Sequence, residues 1–228
     1  MRREAVAEAW TPAGEAVELT RLPRAQLAAM RAAGEEILEC YRVLRKAELN
    51  IVGEVLRGAA QFREYDHYPE DDVYDRETRS QYYYHSHRGV AGEHGHFHAF
   101  VRSGDGDAVV HVVAISMDAY GYPIGLFAPN RWVAAGDWHE AGDVFEMSKA
   151  FRIDHAWPSW PVNRWMSAMV VLFRPHIGQL LIERDQALAQ WRSRMPGEDV
   201  LERRDIEILA QMPISVERTL EELRRLSS

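Results

Sequence analysis

A single cysteine, Cys40, stands in 228 residues, which excludes a disulfide scaffold, a thiolate zinc centre and an iron-sulfur cluster held within the chain. No uninterrupted apolar run reaches the length of a membrane span, so no membrane partner is expected. Basic residues are also short: 27 Lys and Arg face 35 Asp and Glu, a formal charge of -8. A nucleic acid needs the opposite excess, and none is expected as a partner. Met1 to Trp10 is polar and charged and lacks the apolar segment of a secretory signal. With the lone cysteine, this makes a cytoplasmic protein the expectation. What the chain does have is 46 % apolar residues, with seven Trp and nine Tyr. That suits one globular domain burying about 70 % of its unfolded surface, with a small molecule as its partner.

Histidine is the other abundance. Five lie within fourteen residues, as His85-Ser86-His87 and His94-Gly95-His96-Phe97-His98. Side chains two apart on a strand share a face, so each string sets imidazoles side by side. If Gly89 to Gly92 form the loop, Arg88 pairs with Glu93, His87 faces His94 and His85 faces His96. Opposed Cβ atoms about 4.5 to 5.5 Å apart let two imidazoles share an ion. A one-residue slip would send the strings to opposite faces. A turn at Ser103-Gly104-Asp105-Gly106 brings His111 opposite His98, with Tyr83 beside it. The candidate metal ligands are therefore His85, His87, His94, His96, His98, His111 and Glu93, with Asp66 and Asp118 as other possible carboxylates. Six imidazoles exceed what one ion needs, so either some support the others or two ions bind. Imidazole ligands favour a transition metal, Fe, Cu or Zn, over Mg or Ca. Crowded neutral histidines lining a polar cleft are the bland alternative.

The fold expectation is α+β, an antiparallel meander of four to five strands packed on helices from both ends of the chain. Residues 1–228 form one domain: an extended N-terminal segment (1–22), a histidine-rich sheet region (62–133) and a helical region (142–228). Leu27, Met30, Ile37, Leu38, Tyr41 and Leu44 suit an amphipathic helix from Pro23 to about Leu56, which Gly34 divides. Phe62 to Arg79, with seven carboxylates in eighteen residues, reads as a structured loop. Strands follow near Ser80 to His87, Glu93 to Arg102, Ala108 to Met117 and Ile124 to Ala128, with a fifth at Arg131 to Val133. Helices are expected at Val162 to Phe173, Pro175 to Arg194, Val200 to Gln211 and Ser215 to Leu226. The last is amphipathic enough to pair two chains into a homodimer.

Gln81 to Arg88, Glu93 to Phe100, and Pro158-Ser159-Trp160-Pro161-Val162-Asn163-Arg164-Trp165 resemble an uncharacterised bacterial domain-of-unknown-function family over nearly the whole chain. That resemblance implies a single domain and transfers no site. His94-Gly95-His96-Phe97-His98-Ala99-Phe100 is similar to the signature of histidine-triad nucleotide hydrolases. It implies His96 as nucleophile, His94 and His98 in support, and Arg63 or Arg131 neutralising phosphate. The reading of the residues themselves points elsewhere, to a metal-dependent oxidoreductase, of non-haem iron or copper, acting on a small organic molecule. Tyr83 and Arg131 are its expected catalytic contacts. Arg164 is expected in a structural ion pair near Asp154. A carrier that binds metal without catalysis is the competing class, and an open coordination position separates the two.

Overall fold

A computed structural model describes residues 17–102 and 108–226. The turn at Ser103 to Gly106 and the first sixteen residues of the expected N-terminal segment lie outside them. The described residues hold seven α-helices and one six-stranded antiparallel sheet in which every strand neighbours the next in sequence. The class is α+β as expected, with more strands than four to five.

The first helix, α1 (Arg24–Lys46), buries Leu27, Met30, Ile37 and Leu44 at helical spacing and is not divided at Gly34. A Cβ at that position would lie 2.1 Å from Leu220 Cδ2, so glycine is there for close approach by the C-terminal helix. Before it, Leu19–Arg21 forms a 3-10 turn whose Leu19 enters the core, so this end of the N-terminal segment is not extended. A short α2 (Ile51–Val55), capped by the Asn50 side chain, leads through a loop to the sheet.

Strand β1 (Tyr68–Asp75) occupies the segment read as a loop. It is an edge strand: Tyr68, Val73 and Asp75 turn inward while Glu70 and Asp71 face solvent, charges that suit an unpaired edge. Next come β2 (Ser80–His85), β3 (Gly95–Arg102), β4 (Val109–Met117) and β5 (Pro123–Pro129). Arg131 to Val133 is not a fifth strand. Asn130 accepts a hydrogen bond from the Arg131 amide at 2.9 Å and starts a helical turn, α3 (Arg131–Ala134).

Helices α4 (Ala141–Ser148), α5 (Trp160–Leu172) and α6 (Arg174–Arg194) follow. The expected helix from Val200 to Gln211 is replaced by a 3-10 turn, Val200–Glu202, and strand β6 (Ile208–Pro213), which pairs with β5 and completes the sheet. Tertiary pairing overrides the local helical pattern there. The chain ends in α7 (Val216–Arg225), whose Val216, Leu220 and Leu223 join the main core. The face expected to pair two chains is therefore already covered. No single helix among the described residues is long and apolar enough to cross a membrane.

The sheet has two chemically different faces. Tyr82, Tyr84, Phe97, Ile115, Leu126 and Met212 point into one core with Trp165, Ile177 and Leu181 of the helices. Arg164 is half-exposed, pairs with Glu36 rather than Asp154, and lies over the Trp160 ring. The opposite face carries Tyr83, His85, His96, His98, Phe100 and Phe127, and it is the face that concerns function.

Candidate metal centre

The β2–β3 register holds the key. His85 pairs with His96 and Tyr83 with His98, the pairing that a four-residue loop predicts. The strands part sooner than expected, however, and residues 86–94 form a longer connection that folds back over the histidine face. Ser86 leaves the ladder by accepting from the Tyr65 amide at 3.0 Å. That departure swings His87 over the cluster, its ring centroid 4.8 Å from His85 and 5.0 Å from His96. The ligand nitrogens of His85, His87 and His96 all lie within 4.8 Å of one another, a group geometrically able to hold a metal ion. A tetrahedral ion bound at about 2.0 Å needs nitrogens about 3.3 Å apart, within reach of small side-chain rotations.

The protons are arranged to match. Glu93 Oε1 accepts from His96 Nδ1 at 2.7 Å, so the lone pair of the neutral ring sits on Nε2. That Nε2 is buried and has no hydrogen-bond partner, and the same is true of Nε2 in His85 and His98. His87 Nδ1 lies 3.4 Å from Glu207. Three buried, unpartnered nitrogens on one sheet face are expensive unless something binds them. Burial, reinforced by the neighbouring rings, pushes His85 down to about 2, and holds His96 and His98 well below the ordinary histidine range. Each ring is therefore neutral at pH 7, the form that binds metal.

The remaining candidates divide. His98 lies beside the trio, 4.9 Å from His96 and 5.0 Å from His85 between centroids, but does not join the ligand group. Its Nδ1 is 2.9 Å from His111 Nε2. A bulge between Ala99 and Phe100 puts His111 opposite Phe100 rather than His98, and the two imidazoles meet on the diagonal. Burial pushes His111 down to about 3. His94 is not in the cluster. It precedes the first residue of β3, its ring stacks on Phe62, and its Nδ1 hydrogen-bonds with Tyr84 Oη at 2.7 Å on the helix-covered side. Gly95 permits this, because a Cβ there would lie 2.5 Å from both Tyr84 Oη and the His85 carbonyl oxygen.

Glu93 stands behind His96 and outside the group of converging ligand atoms. Its two oxygens are taken by His96 and by Arg88 at 3.2 Å. Burial raises its carboxyl and Arg88 opposes that rise. Asp118 caps the Tyr120 and Tyr122 amides in a turn, and exposed Asp66 lies outside the ligand group. Tyr83 borders the trio, its ring 5.1 Å from His85 and 5.2 Å from His98. Arg131 does not reach it, because its guanidinium is held by Glu202 at 2.9 Å and Asp199 at 3.3 Å. The nucleophile role that the histidine-triad likeness implies for His96 meets a ring with no exposed surface and Nδ1 already engaged.

Four contributors escape sequence reasoning. His67 stacks on Tyr83 at 3.6 Å, stands 5.6 Å from His85 and is anchored to Asp72 at 2.8 Å. Gln211 lies on the strand misread as helix, and Glu207 immediately precedes it. Arg88 crosses the face, reaching Ser116 and Gln211 and lying 4.0 Å above the Phe127 ring. The only signal was compositional, since His67 lies in the acidic, tyrosine-rich stretch ahead of the histidine strings.

A family model for a domain of unknown function, DUF6969, matches residues 31–214. The chain belongs to this family. The DUF6969 match begins within α1 and ends just past β6, so it takes in all six strands and the whole histidine face. No curated protein and no solved structure matches the chain.

Proposed function

We propose that the protein binds one transition-metal ion through His85, His87 and His96, and that the centre serves a metal-dependent oxidoreductase acting on a small organic molecule. The observation that carries the metal reading is the convergence of three neutral imidazoles, two of them with buried, unpartnered Nε2 atoms. An all-imidazole set suits iron, copper or zinc, and iron or copper would supply the electron transfer that an oxidoreductase needs. Three protein ligands leave a coordination position free, which favours an enzyme over a closed carrier site.

The chain's own residues prepare that position. Glu93 and Glu207 orient His96 and His87. Phe127, 5.0 Å from the His96 ring, gives the site an apolar floor. Burial raises the Tyr83 hydroxyl, so it stays protonated at pH 7 and is available as a hydrogen-bond donor.

Elemental analysis of protein purified without a histidine tag tests the site. Near-stoichiometric iron, copper or zinc is expected in the wild type and none in the His85→Ala, His96→Ala double variant. Metal-free wild type after reconstitution would overturn the reading. Azide added to the copper-loaded protein separates enzyme from carrier: an altered visible spectrum reports an open position, and an unchanged one a closed site.

A further inference from the structure

Beside the histidine face, at the β1 edge of the sheet, lies a cavity of about 740 Å³ between α2, the loop that follows it, the start of β1 and the Pro158–Ser159 corner. Its size is that of a small-molecule site. Glu54 lines it and is only 6 % exposed. Oε1 of this carboxylate is fully engaged, accepting from the Ser159 hydroxyl at 2.8 Å and from Arg57 at 3.0 Å. Oε2 is buried and has no partner. His67 lines the same cavity, and on the sheet side its ring meets Tyr83 and His85, so one residue joins the cavity wall to the proposed metal centre.

We infer that this cavity binds a small molecule through a primary ammonium group donated to Glu54 Oε2. A buried carboxylate oxygen lacking a donor is costly, and the chemistry of the gap selects its occupant. A guanidinium prefers to engage both oxygens of a carboxylate, and Oε1 is already taken. An ammonium is a compact charge that satisfies a single oxygen. An anion would be repelled by Glu54. The other charged side chains of the wall, Arg57, Arg63, Asp66 and Glu70, are exposed and their signs balance. The buried carboxylate therefore sets the preference. That the bound amine is also the substrate rests on the metal reading; that it binds does not.

Calorimetric titration of the full-length protein, both chelator-treated and zinc-reconstituted, with n-butylamine, n-butanol and butyrate tests this. Saturable butylamine binding is expected in both preparations, with neither butanol nor butyrate matching it. Glu54→Gln keeps the shape and should weaken the amine about tenfold or more. Ala59→Trp fills the cavity from an exposed loop position, leaves Glu54 in place, and should do the same. The inference is overturned if butylamine does not bind, if butyrate or butanol binds as well, or if both variants keep the wild-type affinity. Zinc content of the same samples is read separately. Amine binding without zinc uptake refutes the metal reading alone, and zinc uptake without amine binding refutes the cavity alone.

Discussion

The proton on His96 decides whether this ring can ligate, and Glu93 places it. A carboxylate can only accept, so the 2.7 Å contact puts hydrogen on Nδ1 and leaves Nε2 bare among the other imidazoles. Removing that acceptor frees the ring to adopt the other tautomer or to turn. Glu93→Ala is therefore expected to weaken metal binding about 10 to 100-fold, the usual cost of losing a ligand's orienting partner. It should also destabilise the fold by about 3 kcal/mol, because it breaks the buried Arg88–Glu93 ion pair. Competition with a chromogenic chelator measures the first effect and urea unfolding the second. Glu207→Ala is the companion case: its 3.4 Å contact to His87 is longer and its side chain is half-exposed, so a smaller loss of affinity with little change in stability is expected in the same assays. Equal losses in the two variants would contradict the separate roles assigned here.

At the scale of elements, the site depends on how β2 and β3 part company. Their ladder sets His85 against His96, and Gly95 is where the last turn of chain fits against it. Gly95→Ala would drive a methyl into the His85 carbonyl oxygen and the Tyr84 ring. Because one obstacle is backbone, relief requires the strands to separate. A loss of about 1 to 3 kcal/mol, together with reduced metal content, is expected from thermal unfolding and elemental analysis; an unaffected protein would mean the approach is looser than described. The same pair of strands shows what sequence can carry. Alternation fixes faces and an even loop fixes register, so the meeting of His85 with His96, and of Tyr83 with His98, was legible. The path of a loop is not periodic, so His87 turning inward and His94 turning away were not. Nor was β1, whose charges are those of a solvent-exposed edge as much as of a loop. Still less legible was β6, which is a strand because β5 offers it a partner, and which brings Glu207 and Gln211 to a site far from them in sequence.

For the whole molecule, the histidine face is a stability liability as well as a site. One side of the sheet is filled by aliphatic and aromatic side chains against the helices, while the other buries imidazoles that must stay neutral. The unfolded chain has no such restriction, and its histidines take up protons near pH 6.5. His85 is held at about 2 in the folded protein. Between those values the unfolded state binds the extra proton, so stability is fully present above about pH 6.5 and falls as pH drops toward 2. At pH 5 this ring alone should cost about 2 kcal/mol relative to pH 7.5, and His96, His98 and His111 act in the same direction. Urea unfolding of chelator-treated protein at the two pH values is expected to show the decline. His85→Phe, which keeps the bulk and removes the titration, should flatten it by about the same 2 kcal/mol. If the variant lost stability in parallel with the wild type, His85 would not be titrating as its burial requires, and the neutral state that the proposed metal centre needs would require another cause.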